Sequence, residues 1–177
     1  MAITLADLKA SMPNSTTANA QKYLAGFNQA ITNYDLSTPL RLAHFLAQTG
    51  HESGSMIYNK EIASGAAYEG RHDLGNTQPG DGMRFKGRGL IQITGRNNYK
   101  LYGDAVGVDF ISNPILLEQP PYAVDSAGWF WKTHNLNPLA DADDILHITK
   151  KINGGINGLD DRKHRLQIAK TVLHIIA

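Results

Sequence analysis

Residues 84–99, with the sequence RFKGRGLIQITGRNNY, are the most informative stretch of this chain. Glycine recurs in it at Gly87, Gly89 and Gly95, and a glycine lets the backbone approach a ligand closely because it has no side chain. The glutamine, threonine and asparagine side chains between the glycines are neutral hydrogen-bond donors and acceptors, the kind that bind hydroxyl and amide groups. The stretch therefore predicts one wall of a binding site for a polar, uncharged ligand.

A predicted helix upstream of this stretch ends at an acidic residue. The sequence Ser-Thr-Pro at 37–39 predicts the helix start, and Gly54 predicts its end. Glu52 lies in the last turn and shares a helix face with apolar residues such as Phe45. Partial burial and the negative end of the helix dipole both favour a neutral carboxylic acid there, which is the form that a general acid needs to cleave a glycosidic bond. The alternative is an exposed glutamate at a helix end.

General acid catalysis of this kind needs a second carboxylate. Glu61 follows beyond a Gly-Ser turn, so the chain can fold it back across a cleft from Glu52. Glu69 competes for the same role, and a solvated loop charge is the alternative for Glu61. The local sequence leaves the separation of the carboxyl groups open, and with it the choice between an inverting enzyme, at roughly 6.5–9.5 Å, and a retaining one, at about 5 Å.

The alternation of Ile91 and Ile93 with Gln92 and Thr94 predicts a short β-strand within 85–94. Side chains alternate with period two along a strand, so Gln92 and Thr94 should point to the same side. A threonine hydroxyl can hold an attacking water, and a glutamine can bind an N-acetyl or hydroxyl group. A polar strand face with no ligand is the alternative.

Helical spacing and helix-start signals account for most of the remaining chain. Hydrophobic residues make up 42% and charged residues 19%, so we expect a single, mainly α-helical domain over 1–177 with a minor β element. The segment 55–83 is predicted to be irregular. The last helix is amphipathic and basic, and packing on the core is favoured over contact with an anionic membrane. This last helix is expected at 160–175, and the other helices at 3–11, 18–32, 97–106, 120–133 and 143–152.

Composition and missing motifs exclude several classes of protein. The net charge of +1 gives no global attraction for nucleic acid, the absence of cysteine excludes disulfides and thiolate chemistry, and neither a membrane-spanning apolar run nor a signal peptide is evident. Ser55 breaks the zinc-protease pattern, and the phosphate-loop and G-x-S-x-G motifs are absent. One local cluster of cations could either bind an anionic polymer or simply face solvent, and the sequence leaves both possibilities open. Its members are Arg84, Lys86, Arg88, Arg96 and Lys100.

Two of these motifs combine with three later blocks into a known pattern. The blocks are FLAQTGHESG at 45–54, FKGRGLIQITGRNNY at 85–99, AGWFW at 127–131, INGG at 152–155 and the pair Asp161-Arg162. Together they resemble glycoside hydrolase family 19, and within it the phage endolysins. The resemblance covers residues 37–166 and implies a mainly α, lysozyme-like α+β fold in a single catalytic domain.

The resemblance also implies a role for each candidate residue. Glu52 would be the general acid, Glu61 the general base that activates water, and Thr94 the residue that holds this water. No metal or other cofactor is implied. The remaining implied site residues are His51 beside the acid, Arg162 near the carboxylates, and Gln92, Asn98, Tyr99 and Asn153 in the sugar subsites.

The activity implied by the resemblance is inverting hydrolysis of the β-1,4 bond between N-acetylmuramic acid and N-acetylglucosamine in peptidoglycan. The implied role is lysis of a host bacterium by a phage, so we expect a monomer made in the host cytoplasm, released through a holin-type pore, and acting on the cell wall. We expect no nucleic acid partner and no stable membrane insertion. A chitinase and a non-catalytic glycan-binding domain are the alternatives; the lack of cysteine and the compact segment 55–83 depart from plant chitinases.

Overall fold

A computed structural model describes residues 1–175 of the chain. Within this range nine α-helices, with short 3-10 turns between some of them, form most of the regular structure. The mainly helical fold class predicted from the sequence is confirmed. The helices are α1 (Leu5–Ser11), α2 (Thr17–Asn33), α3 (Pro39–Glu52), α4 (Asp81–Arg84), α5 (Arg96–Val106), α6 (Pro120–Thr133), α7 (Asn137–Asp141), α8 (Ile145–Asn153) and α9 (Leu159–Val172).

The central helix α3 begins and ends where the sequence predicts. Thr38 caps it by accepting a hydrogen bond from the Arg41 amide at 3.2 Å, and Pro39 occupies the first turn. Every residue in 42–50 is buried, so this part of the helix is enclosed on all sides. Its last turn reaches the surface at Glu52. The helix thus carries an acidic side chain from the core to the surface on a rigid support.

The core around α3 is aromatic. Trp131 on α6 is completely buried and packs edge-on against Phe45 of α3, with ring centroids 5.5 Å apart. Phe27 of α2 contacts the same phenylalanine at 6.1 Å. Trp131 Nε1 donates to Asn137 Oδ1 at 2.8 Å, so the polar group of this buried ring is satisfied. Trp131 is thus part of the core, whereas Trp129 is only partly buried.

The short strand predicted within 85–94 is not formed. Two isolated antiparallel bridges occur there instead, between Lys60 and Arg88 and between Arg88 and Ile93. Gln92 has a φ of 60°, a left-handed conformation that interrupts the extended backbone of a strand. The prediction was wrong because an alternation of apolar and polar residues does not reveal a tight turn.

The C-terminal helix α9 packs on α3 and α1. It buries Arg162, Leu166 and Ala169, which agrees with the interpretation of this helix as part of the core. None of the helices within residues 1–175 is both long and apolar enough to cross a membrane.

The five cations clustered within 84–100 all make hydrogen bonds within the protein, three of them to carboxylates and two to carbonyl oxygens. Arg88 is buried, and the other four make hydrogen bonds at or near the surface. Their partners are Glu118 for Arg88, Asp81 for Arg96, Asp104 for Lys100, and the carbonyl oxygens of Ile111 and Ala63 for Arg84 and Lys86. Whether the cluster also attracts an anionic polymer stays open.

Candidate active site

The carboxylate of Glu52 is held by a buried arginine. Arg162 Nη2 donates to Glu52 Oε1 at 2.5 Å, and the same guanidinium donates through Nη1 to Gln48 Oε1. The Arg162 side chain is 1% exposed and that of Glu52 is 19% exposed. Because no side chain or amide within residues 1–175 donates to Glu52 Oε2, that oxygen is left for a ligand.

The setting of Glu52 differs from the one that the helix spacing predicts. The prediction of a mainly apolar setting is wrong, because the guanidinium of Arg162 lies against the carboxylate. Arg162 is 110 residues further along the chain, and the spacing within α3 carries no information about it. The contact agrees with the place beside the acid that the resemblance implies for Arg162.

His51, the residue before Glu52, also bonds to α9. Its Nδ1 lies 2.6 Å from Asp161 Oδ2, and Arg165 Nε donates to the same oxygen at 2.6 Å. Burial raises the pKa of the Asp161 carboxyl, but the hydrogen bonds from Arg165 and His51 outweigh it and hold that pKa below its usual value. Neither Asp161 nor Arg165 was among the predicted site residues, because the local sequence does not show how α9 packs against the end of α3.

The chain reverses direction directly after the acid. Gly54, Ser55 and Met56 have φ values of 56°, 63° and 66°, three consecutive left-handed residues. Arg165 Nη1 donates to Ser55 Oγ at 2.8 Å, and the Asn19 side chain donates to the Met56 carbonyl at 3.0 Å. This turn leads from α3 into the segment that carries the second candidate carboxylate.

Glu61 is held by the glycine-rich stretch. Its Oε2 accepts a hydrogen bond from the Gly87 amide at 3.1 Å, and its Oε1 accepts one from the Tyr68 hydroxyl at 3.1 Å. The backbones also pair, since the Glu61 amide donates to the Gly87 carbonyl at 2.9 Å. Burial, together with the hydrogen bond to Glu61, raises the pKa of the Tyr68 hydroxyl, so this hydroxyl remains a donor.

Gly87 is also the place where two predicted wall residues converge. A Cβ atom at Gly87 would lie 2.8 Å from Gln92 Oε1 and 3.3 Å from Thr94 Oγ1, so a larger residue would collide with this wall. Asn98 Nδ2 donates to the Thr94 carbonyl at 2.7 Å. Glu61, Gln92, Thr94 and Asn98 therefore form one polar cluster. Gln92 and Thr94 lie close together, as predicted, although a turn rather than a strand brings them together.

The competing carboxylate, Glu69, is used by a loop. Its two oxygens accept hydrogen bonds from the Gly80 amide at 2.7 Å and the Gly82 amide at 2.8 Å. These hydrogen bonds close the turn before α4. Glu61 and Glu69 each accept two hydrogen bonds, and the choice between them as the partner of Glu52 stays a prediction.

Tyr99 does not line a sugar-binding surface, contrary to the expectation. Its side chain is completely buried, its hydroxyl donates to the Lys86 carbonyl at 2.6 Å, and it accepts a hydrogen bond from Arg88 at 2.9 Å. Its contribution is to hold the backbone around Gly87 in place. Asn153, the last residue of α8, is exposed and accessible to a ligand.

Two surface pockets lie away from the candidate carboxylates. They measure about 500 and 410 Å³ and share Arg96 and Ile111 in their linings, but neither is lined by Glu52 or Glu61. Among the residues that the structure describes, no group of three His, Asp or Glu side chains is arranged to hold a metal ion.

Comparison with known proteins identifies the family. The profile of glycoside hydrolase family 19, described as class I chitinase, matches residues 12–151. A family 19 domain-containing protein of Haemophilus influenzae is 32% identical over 154 residues, which cover 70% of this chain and 75% of that protein. An endochitinase of Arabidopsis thaliana is 38% identical over 115 residues, covering 64% of this chain but only 39% of the plant protein.

Solved structures show the same fold. Chitinase C of Streptomyces griseus has a TM-score of 0.74 at 26% identity, with 97% of this chain and 76% of that chain covered. A class IV chitinase of Zea mays has a TM-score of 0.79 at 21% identity, with 98% and 94% covered. This chain belongs to glycoside hydrolase family 19 and is a chitinase-like glycosidase. The family and fold implied by the resemblance are confirmed, and the roles of the individual residues stay predictions.

Proposed function

We propose that this protein hydrolyses the β-1,4 bond between N-acetylmuramic acid and N-acetylglucosamine in peptidoglycan. The proposed chemistry rests on one observation: the two carboxylates are held by different hydrogen-bond partners. Glu52 is paired with the buried guanidinium of Arg162 and keeps one oxygen free. Glu61 is held by the Gly87 amide next to Gln92 and Thr94. One carboxyl group can then act on the leaving oxygen and the other on water.

In the proposed reaction, Glu52 is protonated on Oε2, the oxygen that Arg162 does not bind, and gives this proton to the glycosidic oxygen as the bond to the anomeric carbon breaks. Water held near Thr94 attacks this carbon from the opposite face and gives a proton to Glu61, so the configuration inverts. The charge left on Glu52 is balanced by Arg162, a positive group already in position before the reaction. The partly buried Asn98 and the exposed Asn153 would bind hydroxyl or acetamido groups of neighbouring sugars.

The choice of peptidoglycan rests on the resemblance of the central motif to the phage endolysins. Host-cell lysis after release through a pore, with the protein acting as a monomer on the cell wall, completes the proposal. Chitin is the second candidate, because endochitinases are among the relatives of this chain. The two polymers share the bond type and differ in the lactyl group and peptide stem.

Incubation with purified peptidoglycan and with chitin, followed by mass spectrometry of borohydride-reduced products, tests the proposal. The proposed cleavage produces fragments that end in reduced N-acetylmuramic acid. Fragments that end in reduced N-acetylglucosamine would contradict the bond assignment. Release of soluble sugars from chitin alone would make the protein a chitinase, and no release from either polymer would favour glycan binding without catalysis.

Conservative substitution of three glutamates tests the assignment of the carboxylates. Glu52→Gln and Glu61→Gln should each lower kcat by about 10²-fold or more, because each removes a proton-transfer group while keeping its size. Glu69→Gln is the matched control and should keep activity within a few-fold, since Glu69 closes a loop. Rates on peptidoglycan and circular dichroism of each folded variant give the comparison. A folded Glu69→Gln protein as inactive as Glu61→Gln would place the base elsewhere.

A further inference from the structure

Two consecutive residues of α3 are held by two consecutive residues of α9. His51 bonds to Asp161 and Glu52 bonds to Arg162, at 2.6 Å and 2.5 Å. Arg165, one turn further along α9, donates to Asp161 and also to Ser55 in the turn after the acid. The imidazole and the candidate acid are therefore positioned by the same stretch of one helix.

The hydrogen bond to Asp161 determines which nitrogen of His51 carries the proton. An ionised carboxylate can only accept hydrogen bonds, and the donors around Asp161 keep its pKa below the usual value, so it is ionised near neutral pH. His51 Nδ1 must then be the donor. In the neutral imidazole this leaves Nε2 without a proton, as an acceptor. Within residues 1–175 no donor reaches Nε2, and the His51 side chain is 25% exposed.

The backbone at Gly158 fixes the plane of the His51 ring. A Cβ atom at Gly158 would lie 2.3 Å from His51 Cε1 and 2.4 Å from Nε2, so the ring rests directly on this glycine. With Asp161 bonded to Nδ1 and Gly158 packed against the Cε1–Nε2 edge, the imidazole is held by two groups at the start of α9.

We propose that Asp161 is a positioning residue that presents the unprotonated Nε2 of His51, beside Glu52, as an acceptor for a hydroxyl or acetamido N–H group of the bound saccharide. The inference rests on the proposed function only in that the ligand is a saccharide of N-acetylated sugars. The inference adds a hydrogen-bond acceptor, His51 Nε2, to the site. The saccharide would then be recognised in part by a donor group near the bond that is cleaved.

The protonation of His51 can be measured without any turnover. Nitrogen-15 NMR of the full chain near pH 8, with His51 assigned by comparison with His51→Gln, should show a protonated Nδ1 and a bare Nε2. Titration of the Glu52→Gln protein with a chitin oligosaccharide should then move the Nε2 resonance. A proton on Nε2 in the free protein, or an Nε2 resonance that does not respond to saturating saccharide, would overturn the proposal.

Kinetics on the cleaved polymer separate positioning from stability. Asp161→Ala should lower kcat/KM about fivefold, mainly through KM, because a single hydrogen bond to substrate is worth roughly 1 kcal/mol. Asp160→Ala is the matched control, an exposed acid in the same first turn of α9, and should stay within twofold. Asp161→Asn, whose amide oxygen can still accept from Nδ1, should recover part of the loss.

A double-mutant cycle tests whether Asp161 acts through His51. In a His51→Ala background, Asp161→Ala should have no further effect on KM. A further loss as large as in the wild-type background would contradict the proposal, as would an Asp161→Ala protein with unchanged KM. If the wild-type chain cleaves neither polymer, the proposed function fails while the NMR experiment still decides the state of His51.

Discussion

Ser55 and Met56, directly after the acidic end of α3, have the left-handed backbone that L-residues rarely adopt. Each such residue costs about 1–3 kcal/mol and persists only where surrounding contacts hold it. Here the holding contacts are the Arg165 side chain on Ser55 Oγ and the Asn19 side chain on the Met56 carbonyl. The strain lies between the two candidate carboxylates, and its effect is to turn the chain back toward the glycine-rich stretch.

Gly158→Ala should destabilise the protein more than Gly107→Ala. Both glycines have a φ of 72°, so both substitutions place a side chain in left-handed backbone at a cost of about 1–2 kcal/mol. Only the Cβ at position 158 meets a neighbour, His51 Cε1 at 2.3 Å, whereas nothing lies within 4 Å at Gly107. The additional loss of stability and of hydrolytic rate in Gly158→Ala therefore measures how much the contact between Gly158 and the His51 ring contributes.

Urea denaturation and initial rates of hydrolysis measure the two effects. Equal losses of stability and activity in the two alanine variants would show that His51 tolerates displacement, and that its contact with Gly158 is unimportant for the site.

At the scale of elements, a buried ion pair joins α4 to α5. Arg96 donates to both oxygens of Asp81, at 2.8 and 2.5 Å, and the Asp81 side chain is 2% exposed. The hydrogen bonds from Arg96 outweigh burial and lower the pKa of the Asp81 carboxyl. The pair holds the start of α5, which follows the glycine-rich turn directly, against the start of α4.

Asp81→Asn should lower the free energy of unfolding at pH 7 by about 2 kcal/mol, the range for hydrogen bonds to charged groups. A lowered folded-state pKa means that the stabilisation is fully present above the unfolded value of about 3.9 and is lost as the pH falls through the folded value. The gap between wild type and variant should therefore close below about pH 4.

Chemical denaturation at pH 7, 4 and 3 checks this prediction. Asp104→Asn is the control, because its pair with Lys100 is more than 60% exposed on both sides and should contribute at most about 0.5 kcal/mol. A gap for Asp81→Asn that stays constant from pH 7 to 3 would mean that its carboxylate charge does not stabilise the fold.

At the scale of the whole molecule, Trp131 connects the helices that support the acid. It packs on Phe45 of α3 and donates to Asn137 of α7. Trp131→Ala should cost about 3–5 kcal/mol, as expected for emptying an aromatic site in a core. Leu101→Ala, at a side chain that is 56% exposed, should change stability by no more than about 0.5 kcal/mol.

Thermal unfolding and kinetics below the unfolding transition distinguish loss of fold from loss of site. Trp131→Ala should lower Tm strongly while the remaining folded protein keeps its KM, since no ring atom of Trp131 belongs to the candidate site. A KM that rises in step with the loss of stability would indicate that the core and the saccharide-binding surface are coupled.

Particular residues show how far the sequence predicts this molecule. The cap at Thr38 and the acid at Glu52 were predicted because caps and helix ends depend on neighbours a few positions away. The strand within 85–94 was wrong because the left-handed φ of Gln92 is not visible in an alternation of residue types. Tyr99 was placed on the sugar-binding wall, although its hydroxyl is enclosed by Lys86 and Arg88.

The amino-acid sequence by itself determined the helical class, the position of Glu52 at the end of α3 and the polar character of the glycine-rich stretch, because these depend on local spacing and residue type. Only the tertiary structure decided which groups meet these residues. Arg162 and Asp161 reach α3 from 110 residues away, and the charge beside the acid follows from that contact. Such contacts depend on how whole helices pack, and local patterns do not encode this packing.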